Sequence, residues 1–436
     1  MSGSSSLPYC LAVLALLSFQ GGELQGREEW PAFRGPTSDG HAQSTRLPTQ
    51  LGEHQNVLWK TPIHGKGWSS PVISGNRVWL TTATEDGTEL SVVCVDRESG
   101  QILQDEVLFR VPNPQFCHKF NSYASPTPVI SGGRVFVSFG SPGLACLEEA
   151  TGRKLWERTD FVCNHFRGAG SSPVVWGQLL LNHFDGSDAQ YLVALDCQTG
   201  KTVWRTNRSV DFQDVNPDGK PAADGDYRKA FATPLVVEWA GQPVLLSSGA
   251  KAHYAYHPAT GEELWRVEER GQHSASTRPV VGEGLAFIQT GFGKPQLLAV
   301  SMGGRGVLEE SMIRWRLKKG VPSKPSLILH EGLLFMVDDS GIGSCVEARS
   351  GEVVWTQRIG GNFSASPICA GGRVYFFNEE GKVSVIEAAR ECRVVSEGTF
   401  ESGFMASPAV AGDDLFLRTK TALYRVGHPG KTSKAP

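Results

Sequence analysis

The side chains of this 436-residue chain whose types and spacing could do chemistry fall into three groups. The first is basic. Eight prolines recur along the sequence: Pro71, Pro128, Pro173, Pro234, Pro279, Pro325, Pro367 and Pro408. Six residues before each stand Gly65, Ser122, Arg167, Arg228, His273, Lys319, Gly361 and Ser402, and one residue later come Lys66, Tyr123, Lys229 and Asn362. Cations repeated at one phase, with almost no carboxylates beside them, focus positive potential wherever the fold gathers them. A site carried by Lys66, Arg167, Arg228, Lys229, His273, Lys319 and Asn362 would suit a carboxylate-rich or sulfated ligand, an anionic polysaccharide or an acidic segment of a partner protein. The alternative is that each group reaches solvent or pairs locally.

The second group is sulfur and imidazole. Cys117 and Cys163 lie 11 and 10 residues before Pro128 and Pro173, close to His118 and His165. A disulfide between these two loops is the first expectation for an exported chain; a metal site using both thiols and both imidazoles, or two unlinked thiols, are the alternatives. Cys94, Cys146 and Cys345 occupy a phase where other copies carry Ala194, Ala255 and Val385, so packed thiols are expected there. Cys197, Cys369 and Cys392 fall outside that pattern and read as structural. The third group is the run Asp214-Val215-Asn216-Pro217-Asp218-Gly219, which matches the opening half of a calcium loop through Asp214, Asn216 and Asp218. Its twelfth position is Gly225, between Asp224 and Asp226, so the closing carboxylate is out of phase and a solvated turn competes with calcium.

No G-x-S-x-G, H-E-x-x-H or phosphate-binding glycine loop is present. His54, His64, His183, His253 and His257 stand as isolated loop or core groups.

The elements that position these side chains are short strands. Ser171 to Thr206 contains four of them, separated by Gly177-Gln178, by Asp185-Gly186-Ser187-Asp188 and by Gln198-Thr199-Gly200, each a tight-turn signal. The eight prolines mark copies of this cassette, with gaps of 57, 45, 61, 45, 46, 42 and 41 residues. A second mark lies four residues before the last strand's tryptophan: Gly152, Gly200, Gly261 and Gly351 precede Trp156, Trp204, Trp265 and Trp355, while Gly100 lacks the tryptophan and the seventh copy has decayed to Arg390-Glu391 with Val395. Repetition at this period predicts an all-β, eight-bladed β-propeller of four-stranded antiparallel blades, its tryptophans packed between neighbouring blades. After Pro408 only three strands remain, whereas Val57-Leu58-Trp59-Lys60 places Trp59 12 residues before Pro71, the interval separating Trp355 from Pro367. The N-terminal strand is therefore expected to complete the eighth blade and hide a sheet edge.

Composition agrees: 40% hydrophobic, 20% charged, 50 glycines and a net charge of -3 suit a β protein, and no basic stripe points to nucleic acid. Residues 1–26 look like an export signal around Leu11 to Phe19, too short an apolar run to span a bilayer, with a short uncleaved anchor as the alternative. Residues 27–56 form a lead-in, 57–427 the propeller and 428–436 a polar tail. An exported, periplasmic or extracellular monomer is expected.

Trp30-Pro31-Ala32-Phe33-Arg34-Gly35-Pro36, Gly67-Trp68-Ser69-Ser70-Pro71, Asn121 to Pro128 and the D-x-x-T-G-x-x-x-W turn from Asp196 to Trp204 carry a resemblance. Over roughly 27–427 the chain resembles secreted pyrroloquinoline-quinone-like (PQQ-like) repeat propellers of planctomycete type. The resemblance implies the fold, which is shared by quinoprotein dehydrogenases and by the non-catalytic lipoprotein propeller of the outer-membrane assembly machinery. A dehydrogenase of that kind implies PQQ, calcium with a Glu/Asn/Asp set, a vicinal cysteine pair and often C-x-x-C-H; neither cysteine motif occurs in this sequence. The favoured expectation is an extracytoplasmic binding or scaffold module, with a PQQ- and calcium-dependent oxidoreductase as the alternative.

Overall fold

The structure, a computed structural model, describes residues 29–429; the export signal expected over 1–26 and most of the expected tail lie outside the described residues. Among the described residues no helix is long and apolar enough to cross a membrane. Eight antiparallel sheets follow one another along the chain. The third shows the plan: Val174–Trp176, Leu179–Asp185, Gln190–Asp196 and Thr202–Asn207 pair in sequence order, innermost strand first. The two central strands are buried almost throughout and rich in aliphatic residues, as strands covered on both faces by neighbouring blades must be.

The ring closes as the sequence predicts. Val57–Pro62 pairs antiparallel with Ala422–Val426, Trp59 opposite Arg425 and Lys60 opposite Tyr424, so the eighth blade draws one strand from the N-terminal side and three from the C-terminal side. Two sheets depart from four strands. Gly306–Val307 adds in parallel to the outer edge of blade 4, and His41–Ala42, from the lead-in, adds in parallel to the innermost strand of blade 7.

The tryptophans do what their spacing suggests, with one more member. In each case the indole N–H donates to a backbone carbonyl in the next blade's outer turn: Trp59 to Arg97, Trp156 to Cys197, Trp204 to Pro258, Trp265 to Met302, Trp315 to Ala348 and Trp355 to Ala389, at 3.0–3.1 Å. Gly200 shows why glycine is required under the ring. Its φ is +68°, and a Cβ there would meet the Trp156 indole at 2.8 Å. Trp315 escaped the sequence pattern because the Gly306–Val307 strand and a short 3-10 turn, Glu310–Met312, are inserted ahead of its strand. In blade 7 the register puts Ser396, rather than Val395, at the tryptophan position.

The lead-in is the base of the ring. Trp30 forms a bridge with Ile73 in blade 1, Ile130 N–H of blade 2 donates to Pro31 O, Arg278 ahead of blade 5 donates to Phe33 O, and Arg34 donates to the Leu327 and Pro367 carbonyls. Residues 30–34 thus cross the axis and seal one end of the central channel.

Candidate functional site

The site begins with the residue before each recurrent proline. Ser70, Thr127, Ser172, Thr233, Ser366 and Ser407 stand there, and in the sixth copy Ser326 takes the equivalent place. Each hydroxyl oxygen accepts a backbone N–H from the preceding copy: Ser70 N to Thr127 Oγ1, Thr127 N to Ser172 Oγ, Ser172 N to Thr233 Oγ1, Arg278 N to Ser326 Oγ, Ser326 N to Ser366 Oγ, Ser366 N to Ser407 Oγ and Ser407 N to Ser70 Oγ, all 2.9–3.1 Å. The circle is broken once, where Arg278 replaces a hydroxyl. Each oxygen already accepts one bond, so an O–H proton, beside a second lone pair, is what six of these groups can turn toward the channel. This ring was missed in the sequence, although Ser or Thr before the proline is a repeated signal.

Above the ring lies a cavity of about 260 Å³. Phe33 is its floor, and Trp68, Phe120, Phe231 and Met405 supply apolar wall. His118, Asn121, Arg167 and Lys324 stand around the rim, and among the described residues no carboxylate lines the cavity. Phe120, from the junction of blades 1 and 2, reaches across to Lys324 at the junction of blades 5 and 6, whose ammonium lies 4.2 Å from the ring centroid. Behind the floor lie the guanidinium groups of Arg278 and Arg34, which among the described residues have no carboxylate partner at hydrogen-bond distance. Burial pulls Arg278 down to about 9, the Arg34 charge adding to the effect, and pulls Arg34 itself to about 10. Arg418, also brought to about 9 by burial, donates to Ser69 beside the hydroxyl ring. All three stay cationic at neutral pH.

Of the expected cations, Arg167 alone lines this cavity among the described residues, and carboxylates stand among the rest. Arg167 makes a bidentate pair with Asp226, and buried Lys229 donates to the same carboxylate. Arg228 holds Asp214 through Nε and Nη2, with Lys251 at 3.9 Å. Lys324 meets Glu379 at 3.0 Å, and Asn362 pairs with Glu380. Lys66 donates to Lys119 O and sits over the Trp68 ring. His273 Nδ1 lies 2.9 Å from Ser274 Oγ, between Tyr227 and Phe292. Lys319 is exposed and out of register: Pro325 stands three residues before its strand, Ile328–His330, where the other prolines stand one before, so Val321 takes the equivalent position.

Asp214 and Asp226 each face two cations, so both clusters keep a positive excess. His118 and His273 feel it: burial first, then the charges of Arg167, Lys119 and Lys66 at His118 and of Lys229 at His273, hold both imidazoles below their usual range, against an opposing pull from Asp226 at His273.

The insertion read as a calcium candidate supplies these counter-ions. Asp214 is spent on Arg228, Asp218 Oδ1 caps the Lys220 N–H, and Asn216 lies in the turn closed by Gly219. Cys117 and Cys163 are separate thiols: Cys117 Sγ packs by Gly168 and Arg167 O, while Cys163 Sγ lies 3.8 Å from His165 Nδ1. Burial raises both thiols, Cys117 to about 11, and lowers His165 to about 4. Ser247, His183 and Asp185 have the atoms of a hydrolytic triad, with Ser247 Oγ 3.0 Å from His183 Nε2. They are buried between blades, and Arg208 occupies both Asp185 oxygens and Ser247 Oγ. The cluster is a structural network.

A family model described as outer membrane protein assembly factor BamB matches residues 88–234 and 228–428. The chain belongs to the BamB family. It is 24% identical to the outer membrane protein assembly factor BamB of Yersinia pestis over 212 residues, 44% of this chain and 48% of that protein. It is 26% identical to the dehydrogenase subunit of the quinone alcohol dehydrogenase of Acetobacter aceti over 206 residues, 43% of this chain and 25% of that one. The matched stretches thus span about half of the first relative and a quarter of the second. The quinohemoprotein alcohol dehydrogenase of Comamonas testosteroni superposes with a TM-score of 0.65 at 12% identity, covering 92% of this chain and 81% of that one, a likeness of fold alone. This BamB-family propeller is therefore similar both to an outer membrane protein assembly factor and to a quinone alcohol dehydrogenase subunit.

Calcium with a quinone needs carboxylate oxygens beside the cofactor. The cavity wall supplies hydroxyls and one carboxamide, and Asp214, Asp226 and Glu379, outside the lining, are held by cations. The donor set does not fit that pair.

Proposed function

We propose that this BamB-family chain is an extracytoplasmic binding module that takes an anionic group, presented by a partner protein or a small ligand, into the mouth of its channel. The relationship to BamB, whose name describes outer-membrane protein assembly, supports placing it outside the cytoplasm and among scaffold propellers. One observation carries the reading: a blind cavity whose wall offers O–H donors, whose lining among the described residues includes Arg167 and Lys324 but no carboxylate, and which has buried arginines behind its floor. Donors preorganised toward one point bind anions without reorganising, and low dielectric strengthens each contact. Trp68, Phe120 and Phe231 give apolar surface to whatever carries the charge.

The test uses a fluorescein-labelled peptide rich in Asp, Glu and Phe, followed by anisotropy. Binding should weaken as salt rises, and an Arg167→Ala, Lys324→Ala double variant should lose about tenfold or more in affinity, about 1.4 kcal/mol. Equal affinity in the two proteins would reject the site. Equilibrium dialysis with PQQ, with and without calcium, separates the catalytic alternative: calcium-dependent retention of the quinone would contradict a pure anion-binding module.

A further inference from the structure

Away from the mouth, where the lead-in is stitched to the base of the ring, three ligating side chains meet. The parallel pairing of His41–Ala42 with Ile368–Ala370 sets His41 opposite Cys369, fixed by the Cys369 N–H to Gly40 O bond of 2.9 Å. His330, at the end of the innermost strand of blade 6, brings its ring to 5.7 Å from that of His41, centroid to centroid. One ligand atom from each of His41, His330 and Cys369 lies within 4.8 Å of the other two. His41 Nδ1 is buried and lacks an aligned hydrogen bond, although Asp39 Oδ2 is 3.2 Å away. Both imidazoles are partly exposed, which leaves an approach from solvent, while Cys369 is buried.

We propose that His41, His330 and Cys369 bind a late first-row divalent cation of the zinc class, with Asp39 as the neighbouring carboxylate. Two imidazoles and a thiolate are the soft, nitrogen-and-sulfur set such ions select, and bond lengths of about 2.0–2.3 Å require only that the three groups draw together by a fraction of their present spacing. Binding releases the thiol proton to solvent and forms one metal–sulfur and two metal–nitrogen bonds. The three ligands come from the lead-in, blade 6 and blade 7, so the ion staples the strap that seals the channel to two blades. A fourth position stays open to water, as three-ligand sites allow.

Cobalt(II) is the probe for the full chain, because a thiolate ligand gives it a near-ultraviolet charge-transfer band. One equivalent should produce that band, and zinc should abolish it and raise the thermal midpoint. His330→Gln, at the end of its strand, should lose the zinc-induced rise while its metal-free midpoint stays close to wild type. Cys369→Ser should lose the band, and a Cys117→Ser, Cys163→Ser double variant should keep it. Absence of the band in wild type, or its survival in Cys369→Ser, would overturn the assignment. So would an undiminished zinc shift in His330→Gln.

Discussion

A serine hydroxyl can accept and donate at once, and the channel of this protein uses the two capacities separately. Acceptance ties copy to copy, and donation is left for a ligand. Where a side chain is wholly buried the accounting is stricter. Asp185 and Arg208 are each about 2% exposed, and Arg208→Ala would strand a carboxylate among Tyr254, Tyr256 and His183. We expect a loss of about 3–5 kcal/mol in urea denaturation; a loss below about 1 kcal/mol would show that the pair is dispensable. The buried histidines predict a pH response. Burial holds His165 near 4 and His253 near 3, and His183 well below its ordinary value. In the unfolded chain all three titrate near 6.5. Above about pH 7 neither state is protonated and they contribute nothing; as pH falls through about 6.5 the unfolded chain takes up protons that the folded one refuses. Stability should then fall by up to about 1.4 kcal/mol per pH unit for each histidine. Denaturation midpoints that stay level from about pH 7 to pH 5 would contradict this.

The blade is the element at which sequence and structure meet best. Hairpin glycines, the tryptophan and the proline have fixed phases because each serves one contact that every blade must make. Gly200 and Gly132 separate two requirements. Both have positive φ, but only Gly200 lies under an indole, while nothing lies within 4 Å of the Cβ position at Gly132. Gly200→Ala should therefore lower the thermal midpoint clearly more than Gly132→Ala, and equal shifts would remove the packing argument. Trp156→Ala, which empties the same contact, should cost about 3–5 kcal/mol. The repeat was legible because these contacts are local and recur. What it hid depends on contacts made only once. An insertion before Trp315 broke the spacing, and a two-residue slip at Pro325 put Lys319 in place of Val321. The partners of Arg167 and Arg228 came from an insertion, Asp211 to Tyr227, whose fold no repeat dictates. The hydroxyls were visible as residue types, but their common direction toward one axis is a property of the closed ring.

At the scale of the whole molecule, the chain's two ends decide what the channel can be. Trp59 and Thr61 fasten the last blade to the first through Arg97 O and Gly100 O, which locks the ring at the seam. The lead-in crosses beneath and turns a pore into a cup, with Phe33 as its floor and Arg34 and Arg278 behind it. Net acidity of -3 makes the local positive excess a matter of arrangement, since the composition alone would repel an anion. That the cup holds an anion is the claim on which the functional account rests, and crystals soaked in bromide test it most directly. Anomalous density is expected inside the channel, within hydrogen-bond distance of Ser or Thr hydroxyls of the ring; bromide found only on the outer surface, with the cup empty of it, would contradict the account.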